Sequence, residues 1–248
     1  MNIDLSGQVV AVTGASSGIG EATALAAAQA GAAVSLAARR ADRIEALAKK
    51  IIDGGGRAVA IPTDVAKEDE AAAFVQRTRD ELGGLDVLVN NAGVMLLGPI
   101  PGADAGEWRR MIDVNVYGVL YTTHAAIGGL LEQGSGHIVN VSSVAGRRAT
   151  AGSGVYNLTK FGVNAFSEAL RQEVTAQGVR VTLIEPGAVA TELREHNRPE
   201  IQKQMDERFA GVEKLKSEDI ANAIIYAIGQ PDYVSINEVL VRPTKQVG

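Results

Sequence analysis

The sequence predicts an α/β protein, a single domain with a doubly wound, seven-stranded parallel sheet and helices on both faces. Three observations predict it. Seven short apolar runs rich in β-branched residues recur along the chain, longer segments with helical spacing alternate with them, and several runs finish in glycine or polar turn residues. With 248 residues, 46% of them hydrophobic and 21% charged, the chain carries enough apolar surface for one sizeable core.

The elements follow in order. A strand at 9–13 leads through a glycine loop into a helix at 21–30. A strand at 33–37 precedes a helix at 42–52, which Gly54-Gly55-Gly56 stops. Strands at 58–61 and 87–90 precede helices at 67–82 and 108–131. A strand at 137–141 precedes a helix at 156–176, and strands at 179–184 and 239–241 complete the sheet. The charged segment 191–217, with Pro199 and Met205, is expected to form a lid of one or two short helices over the ligand. Neither linker nor repeat divides 1–248.

Composition excludes several function classes. Lys+Arg number 24 against 29 Asp+Glu, a net charge of −5 without a basic block, so a nucleic-acid partner is not expected. With no cysteine there is no disulfide framework, thiolate zinc site or cysteine nucleophile, which fits a cytoplasmic location. Met1 to Ser6 lack a cationic and an apolar region, and the alanine-rich stretch 22–38 is broken by Gln29, Gly31 and Ser35, so neither a signal peptide nor a membrane span is expected. His124, His137 and His196 have no metal-ligand spacing, and no metal is expected.

In open α/β sheets the ligand lies beyond the carboxyl ends of the strands. There the sequence has Thr13-Gly14-Ala15-Ser16-Ser17-Gly18-Ile19-Gly20, directly before a helix. Glycines let the backbone turn tightly and approach a pyrophosphate, and the unpaired amides and positive dipole end of the helix attract it. No Lys-Ser/Thr follows the last glycine, so the loop is not a Walker A loop. The second strand ends in Ala38-Arg39-Arg40, without the carboxylate that holds an NAD ribose. Two guanidiniums suit a 2′-phosphate, which points to NADP(H), with Arg39 the first choice and Arg40 the second. Asp64 and Val65 are candidates for the adenine edge, although an N-cap role also suits Asp64.

Tyr156 and Lys160 stand at i and i+4, on one face of a helix. A nearby ammonium favours phenolate, so the pair predicts a tyrosine pKa below its usual ~10 and a general acid/base. Ser143 lies 156 − 143 = 13 residues upstream at a strand end, and Asn115 lies within Asp113-Val114-Asn115-Val116-Tyr117-Gly118. With the glycine loop, Asn90-Asn91-Ala92-Gly93, Ser142-Ser143 and Pro186-Gly187, these pieces resemble the classical short-chain dehydrogenase/reductase family over nearly the whole chain.

The resemblance implies a Rossmann fold and an oxidoreductase acting on CH–OH or carbonyl groups. It implies that Tyr156 exchanges a proton with the substrate oxygen, that Ser143 hydrogen-bonds that oxygen, that Lys160 binds the nicotinamide ribose, and that Asn115 interrupts a helix and holds a water. It places Asn90, Ala92 and Gly93 beside the adenosine ribose, and Pro186, Gly187, Val189 and Thr191 near the nicotinamide; turn chemistry alone also explains Ala92 and Gly93. A homotetramer or homodimer through the two long helices is implied as well.

Segments such as 93–99, 160–168 and 184–187 resemble a narrower group, the clavulanate-aldehyde reductases and related NADP-dependent 3-hydroxy acid or serine dehydrogenases. The expected reaction is reduction of a small polar aldehyde or ketone, with oxidation of serine or another 3-hydroxy acid as the alternative. A nucleotide-sensing protein without catalysis would not need the tyrosine and lysine. Candidate substrate contacts are Met95, Arg147, Glu185 and Arg194, the last suited to a bidentate carboxylate bond.

Overall fold

The computed structural model describes residues 3–247. Its seven strands are β1 Val9–Thr13, β2 Ala33–Ala38, β3 Arg57–Pro62, β4 Val87–Asn90, β5 Gly136–Val141, β6 Val179–Pro186 and β7 Glu238–Val241. All pair in parallel, in the order β3-β2-β1-β4-β5-β6-β7. The order reverses between β1 and β4, which opens a crevice at the carboxyl ends of those strands.

Helices α1 Gly18–Gln29, α2 Ala41–Asp53, α3 Glu68–Leu82, α4 Ala105–Ile112, α5 Gly118–Gln133, α6 Gly154–Val174, α7 Pro199–Arg208 and α8 Ser217–Ile228 cover the sheet. The two faces follow from strand alternation. Val10, Val12, Val34 and Leu36 pack with Ala24 and Ala27 of α1, Ile44 of α2 and Ile220 and Ile224 of α8. Ala11, Leu88, Ile138 and Val181 pack on the opposite side with Phe74 of α3, Leu130 of α5 and Leu170 of α6. Central strands buried on both faces explain the near-continuous apolar runs in the sequence.

Two elements differ from the sequence expectation. The helix expected at 108–131 is α4 and α5 joined by a π-helical turn, Asp113–Tyr117, with Asn115 at its centre. Such turns insert one residue into a helix and rotate a side chain off the regular face. Helix α8 was hidden by its isoleucines, whose β-branching weakens helix propensity. It forms because Ile220, Ile224 and Ile228 recur every four residues and bury fully, while the Asp219 carboxylate accepts the Lys216 backbone N–H at 2.8 Å. Segment 191–217 contains a 3-10 turn, Glu192–His196, and α7. Among the described residues, no helix is long and apolar enough to cross a membrane.

Candidate active site

A cavity of about 470 Å³ opens at the crevice. Gly14, Ser16, Ser17, Gly18 and Ile19 form one wall, and Ser143, Tyr156 and Lys160 stand in another. Gly14 has a left-handed backbone (φ +66°), and a Cβ there would come within 2.8 Å of the Ala92 Cα. Gly20 does not line the cavity; its Cβ would lie 2.4 Å from the Gly14 carbonyl oxygen, so its role is close packing within the loop.

Thr13 locks this loop to the next strand. Its hydroxyl accepts the backbone N–H groups of Asn91 and Ala92, each at 3.0 Å, and the Asn91 amide donates to the Thr13 carbonyl at 2.9 Å. Asn90 faces away from the cavity, where it bonds Thr122, Thr123 and Asn140. Asn91 rather than Asn90 lines the cavity, because successive strand residues point to opposite faces. Ala92, Gly93, Asp64 and Val65 line the cavity, and the Asp64 carboxylate also accepts the Ala66 N–H at 3.2 Å. Pro186, Gly187, Val189 and Thr191 line it beyond β6.

The two arginines after β2 behave differently. Arg40 is engaged, donating to Ser16 at 2.9 Å, to Ser17 at 2.8 Å and to the Glu192 carboxylate at 2.7 Å. Glu192 also accepts from Arg43 at 2.7 Å, and both guanidiniums hold its carboxyl down at about 2. Arg39 is exposed, lines the cavity and has no hydrogen-bond or ion-pair partner among the described residues. Of the two, Arg39 is the guanidinium left to meet an anion.

Tyr156, Lys160 and Asn115 are buried, at 7%, 6% and 1% exposure. The Lys160 ammonium lies 5.9 Å from the Tyr156 ring centre and donates to the Val141 carbonyl at 3.0 Å. Burial pushes the Tyr156 hydroxyl up to about 12, against the opposing hydrogen bond from Ser143, and pushes Lys160 down to about 8. The expected lowering of the tyrosine by its lysine neighbour is thus overturned among the chain's own groups. Loss of water disfavours both charged forms. Asn115 does not line the cavity; it bonds the Val94 backbone and the Thr159 hydroxyl.

The expected substrate contacts divide. Met95 and Arg194 line the cavity, but the Arg194 guanidinium is held by Asp206 and, at 2.7 Å, by Gln202. Arg147 and Glu185 do not line it; they bond each other at 2.7 Å. Arg148 lines it, and its guanidinium has no partner among the described residues. Nothing local in the sequence separates Arg148 from Arg147: the partner of Arg147 is 38 residues away. Among the described residues, no cluster of three His, Cys, Asp or Glu suits a metal ion.

The chain is similar to known proteins along most of its length. An uncharacterized oxidoreductase of Staphylococcus saprophyticus is 43% identical over 243 residues, covering 96% of this chain and 97% of that protein. A glycine betaine reductase of Emericella nidulans is 44% identical over 240 residues, 96% of this chain, which spans only 19% of that protein's length. Among solved structures, the closed form of a serine dehydrogenase complexed with NADP+ superposes with a TM-score of 0.91 at 32% identity, over 97% of both chains. The sequence model of the short chain dehydrogenases matches residues 8–202, and the chain belongs to that family of oxidoreductases.

Proposed function

We propose that the protein is an NADP(H)-dependent oxidoreductase that reduces a small polar aldehyde or ketone to the alcohol, reversibly. One observation carries this reading: Ser143, Tyr156 and Lys160 share a cavity with the glycine loop and an unpaired Arg39. The donor set fits a dinucleotide phosphate. Loop and helix-start amides suit the pyrophosphate, and Arg39 suits the 2′-phosphate, with Arg40 bracing the serines of the loop. The serine dehydrogenase structure bound to NADP+ supports the same choice.

When bound, the nicotinamide supplies or accepts the hydride. Tyr156, protonated near neutral pH, donates its proton to the carbonyl oxygen. Ser143 hydrogen-bonds the same oxygen and keeps it within reach of the tyrosine. Lys160 holds the nicotinamide ribose and contributes positive charge beside the developing alkoxide. Asn115 fixes the π turn against Val94 and thereby the wall of the site. Segment 191–217 serves as the lid, and Met95 adds an apolar surface for the substrate.

A second reading, oxidation of serine or another 3-hydroxy acid, is favoured by Arg148, Arg208 and Lys214, three cations that line the same cavity, Lys214 with the Asp206 carboxylate 3.8 Å away. The name of the serine dehydrogenase neighbour favours it too. For the narrower likeness to clavulanate-aldehyde reductases, the sequence segments remain the support. We also infer a homo-oligomer, supported by Tyr117, Leu158 and Phe161, which expose 44%, 60% and 43% of their surfaces around α5 and α6.

The test is a panel of glycolaldehyde, butane-2,3-dione and succinic semialdehyde with NADPH, and of serine and 3-hydroxypropanoate with NADP+, on the protein and its Tyr156→Phe variant. The reading expects turnover that the variant loses while nicotinamide fluorescence still reports NADPH binding. Unchanged turnover in the variant would sink the assignment of Tyr156.

A further inference from the structure

We propose that Glu185 is a positioning residue for the Ser143 hydroxyl, acting through Arg147 and Asn164. The inference rests on the catalytic role proposed above for Ser143. Glu185 is fully buried at the end of β6 and does not line the cavity. A carboxylate this deep is tolerated only when it is paired and hydrogen-bonded. One of its oxygens accepts from Arg147 at 2.7 Å and the other from the Asn164 amide at 2.8 Å.

Both partners reach the chain around Ser143. Arg147 directly follows the 3-10 turn, Val144–Gly146, that Ser143 caps, and the Ser143 hydroxyl accepts the Ala145 N–H at 3.1 Å. Asn164, one helical turn beyond Lys160, accepts from the Ser142 hydroxyl at 2.5 Å and donates to the Gly146 carbonyl at 3.3 Å. A Cβ on Gly146 would lie 2.7 Å from the Asn164 side-chain oxygen, so the turn rests directly on that amide. Ser143 is therefore held before and after by one network, and Glu185 is its fully buried charge.

The next residue in β6 adds a third contact, since the Ser143 hydroxyl lies 3.5 Å from the Pro186 carbonyl oxygen. Arg147 also bonds Glu238 of β7, so its planar fork is fixed by two carboxylates from neighbouring strands. The arrangement transmits the placement of β6 to a hydroxyl on the loop after β5. Without the charge on Glu185, Arg147 keeps only the exposed Glu238 carboxylate, and the Ser143 turn loses the buried end of its brace.

The experiment is a double-mutant cycle between Glu185→Gln and Ser143→Ala, read as kcat and KM with butane-2,3-dione and NADPH, with NADPH affinity measured by fluorescence. Glu185→Gln alone is expected to lower kcat about tenfold, with NADPH affinity within about twofold of the parent. In the Ser143→Ala background the same change is expected to alter kcat by less than about twofold, because the hydroxyl it positions is gone. Equal losses in both backgrounds, or a loss carried by NADPH affinity, would overturn the inference. If Glu185→Gln does not fold, Arg147→Lys, which keeps the charge and gives up the fork, enters the same cycle with the same two criteria. A parent protein inactive on the whole carbonyl panel would instead remove the catalytic reading, and the inference with it.

Discussion

Asn115 and Val94 are bonded to each other twice: the Val94 N–H donates to the Asn115 side-chain oxygen at 2.8 Å, and the Asn115 amide donates to the Val94 carbonyl at 2.8 Å. An asparagine side chain thus completes the backbone pairing of a residue just beyond β4. The same amide reaches Thr159, the residue before Lys160, at 3.2 Å. The π turn and the catalytic helix are registered against each other through this one side chain.

Replacing Asn115 with Ala leaves a buried N–H and a buried C=O without partners. The expected loss is about 2–6 kcal/mol, taking roughly 1–3 kcal/mol for each orphaned group. Urea unfolding measures it, and carbonyl reduction is expected to fall more than tenfold under conditions where the variant is still folded. Parent-like stability would show that water replaces both bonds.

Arg39 and Arg40 are expected to fail differently. Arg39→Ala should weaken NADPH binding at least about tenfold, ~1.4 kcal/mol, and leave NADH nearly unchanged. Arg40→Ala should weaken both nucleotides, because Arg40 ties Ser16 and Ser17 of the shared phosphate loop to the rest of the site. Fluorescence titration with each nucleotide separates the two patterns; equal weakening of both by Arg39→Ala would reverse the roles.

The pH dependence should differ with direction. Tyr156 lies at about 12 and is protonated across the working range, so alcohol oxidation, which needs the tyrosinate, should accelerate as pH rises from 7 to 10. Lys160, at about 8, loses its charge above that pH, and carbonyl reduction should decline there. Initial rates in both directions across this range are the check. An oxidation rate that falls toward alkaline pH would point to a different base.

Burial of His137 should make the fold acid-sensitive. Its Nε2 lies 2.6 Å from the Thr182 hydroxyl, which donates to the Ile236 carbonyl at 2.5 Å, so Nε2 carries the proton and Nδ1 is bare. Desolvation, aided by Arg180, pushes the imidazole down to about 3 from its unfolded 6.5. Between those values the unfolded chain binds the extra proton, so stability is intact above 6.5 and falls as pH drops through the window, by about 1.4 kcal/mol per pH unit. His137→Gln, which keeps a donor for Thr182 but cannot titrate, should flatten that slope by one proton in urea unfolding at pH 5 and pH 7. An unchanged slope would assign the acid sensitivity elsewhere.

Much of this architecture was legible because it is local. The strand and helix periods, the glycine loop before α1, and the i, i+4 placement of Tyr156 and Lys160 follow from backbone geometry that a few neighbouring residues determine. The low φ barrier of glycine at Gly14 is a property of that residue alone. Even so, α8 was obscured by β-branched residues whose burial outweighs their weak helix propensity.

The sequence by itself determined the succession of strands and helices along the chain, the loop that suits a phosphate and the residue types of a proton relay. Tertiary structure decided which of two adjacent residues lines the cavity, in Asn90 against Asn91 and in Arg147 against Arg148, and which of two lining arginines is already bonded, in Arg40 against Arg39. It also decided that Tyr156 is raised rather than lowered. The physical reason is range: an adjacent pair has the same local neighbourhood, whereas Arg40 is distinguished by a carboxylate 152 residues away and Arg147 by one 38 residues away. Desolvation, likewise, exists only once the whole chain has closed around the group.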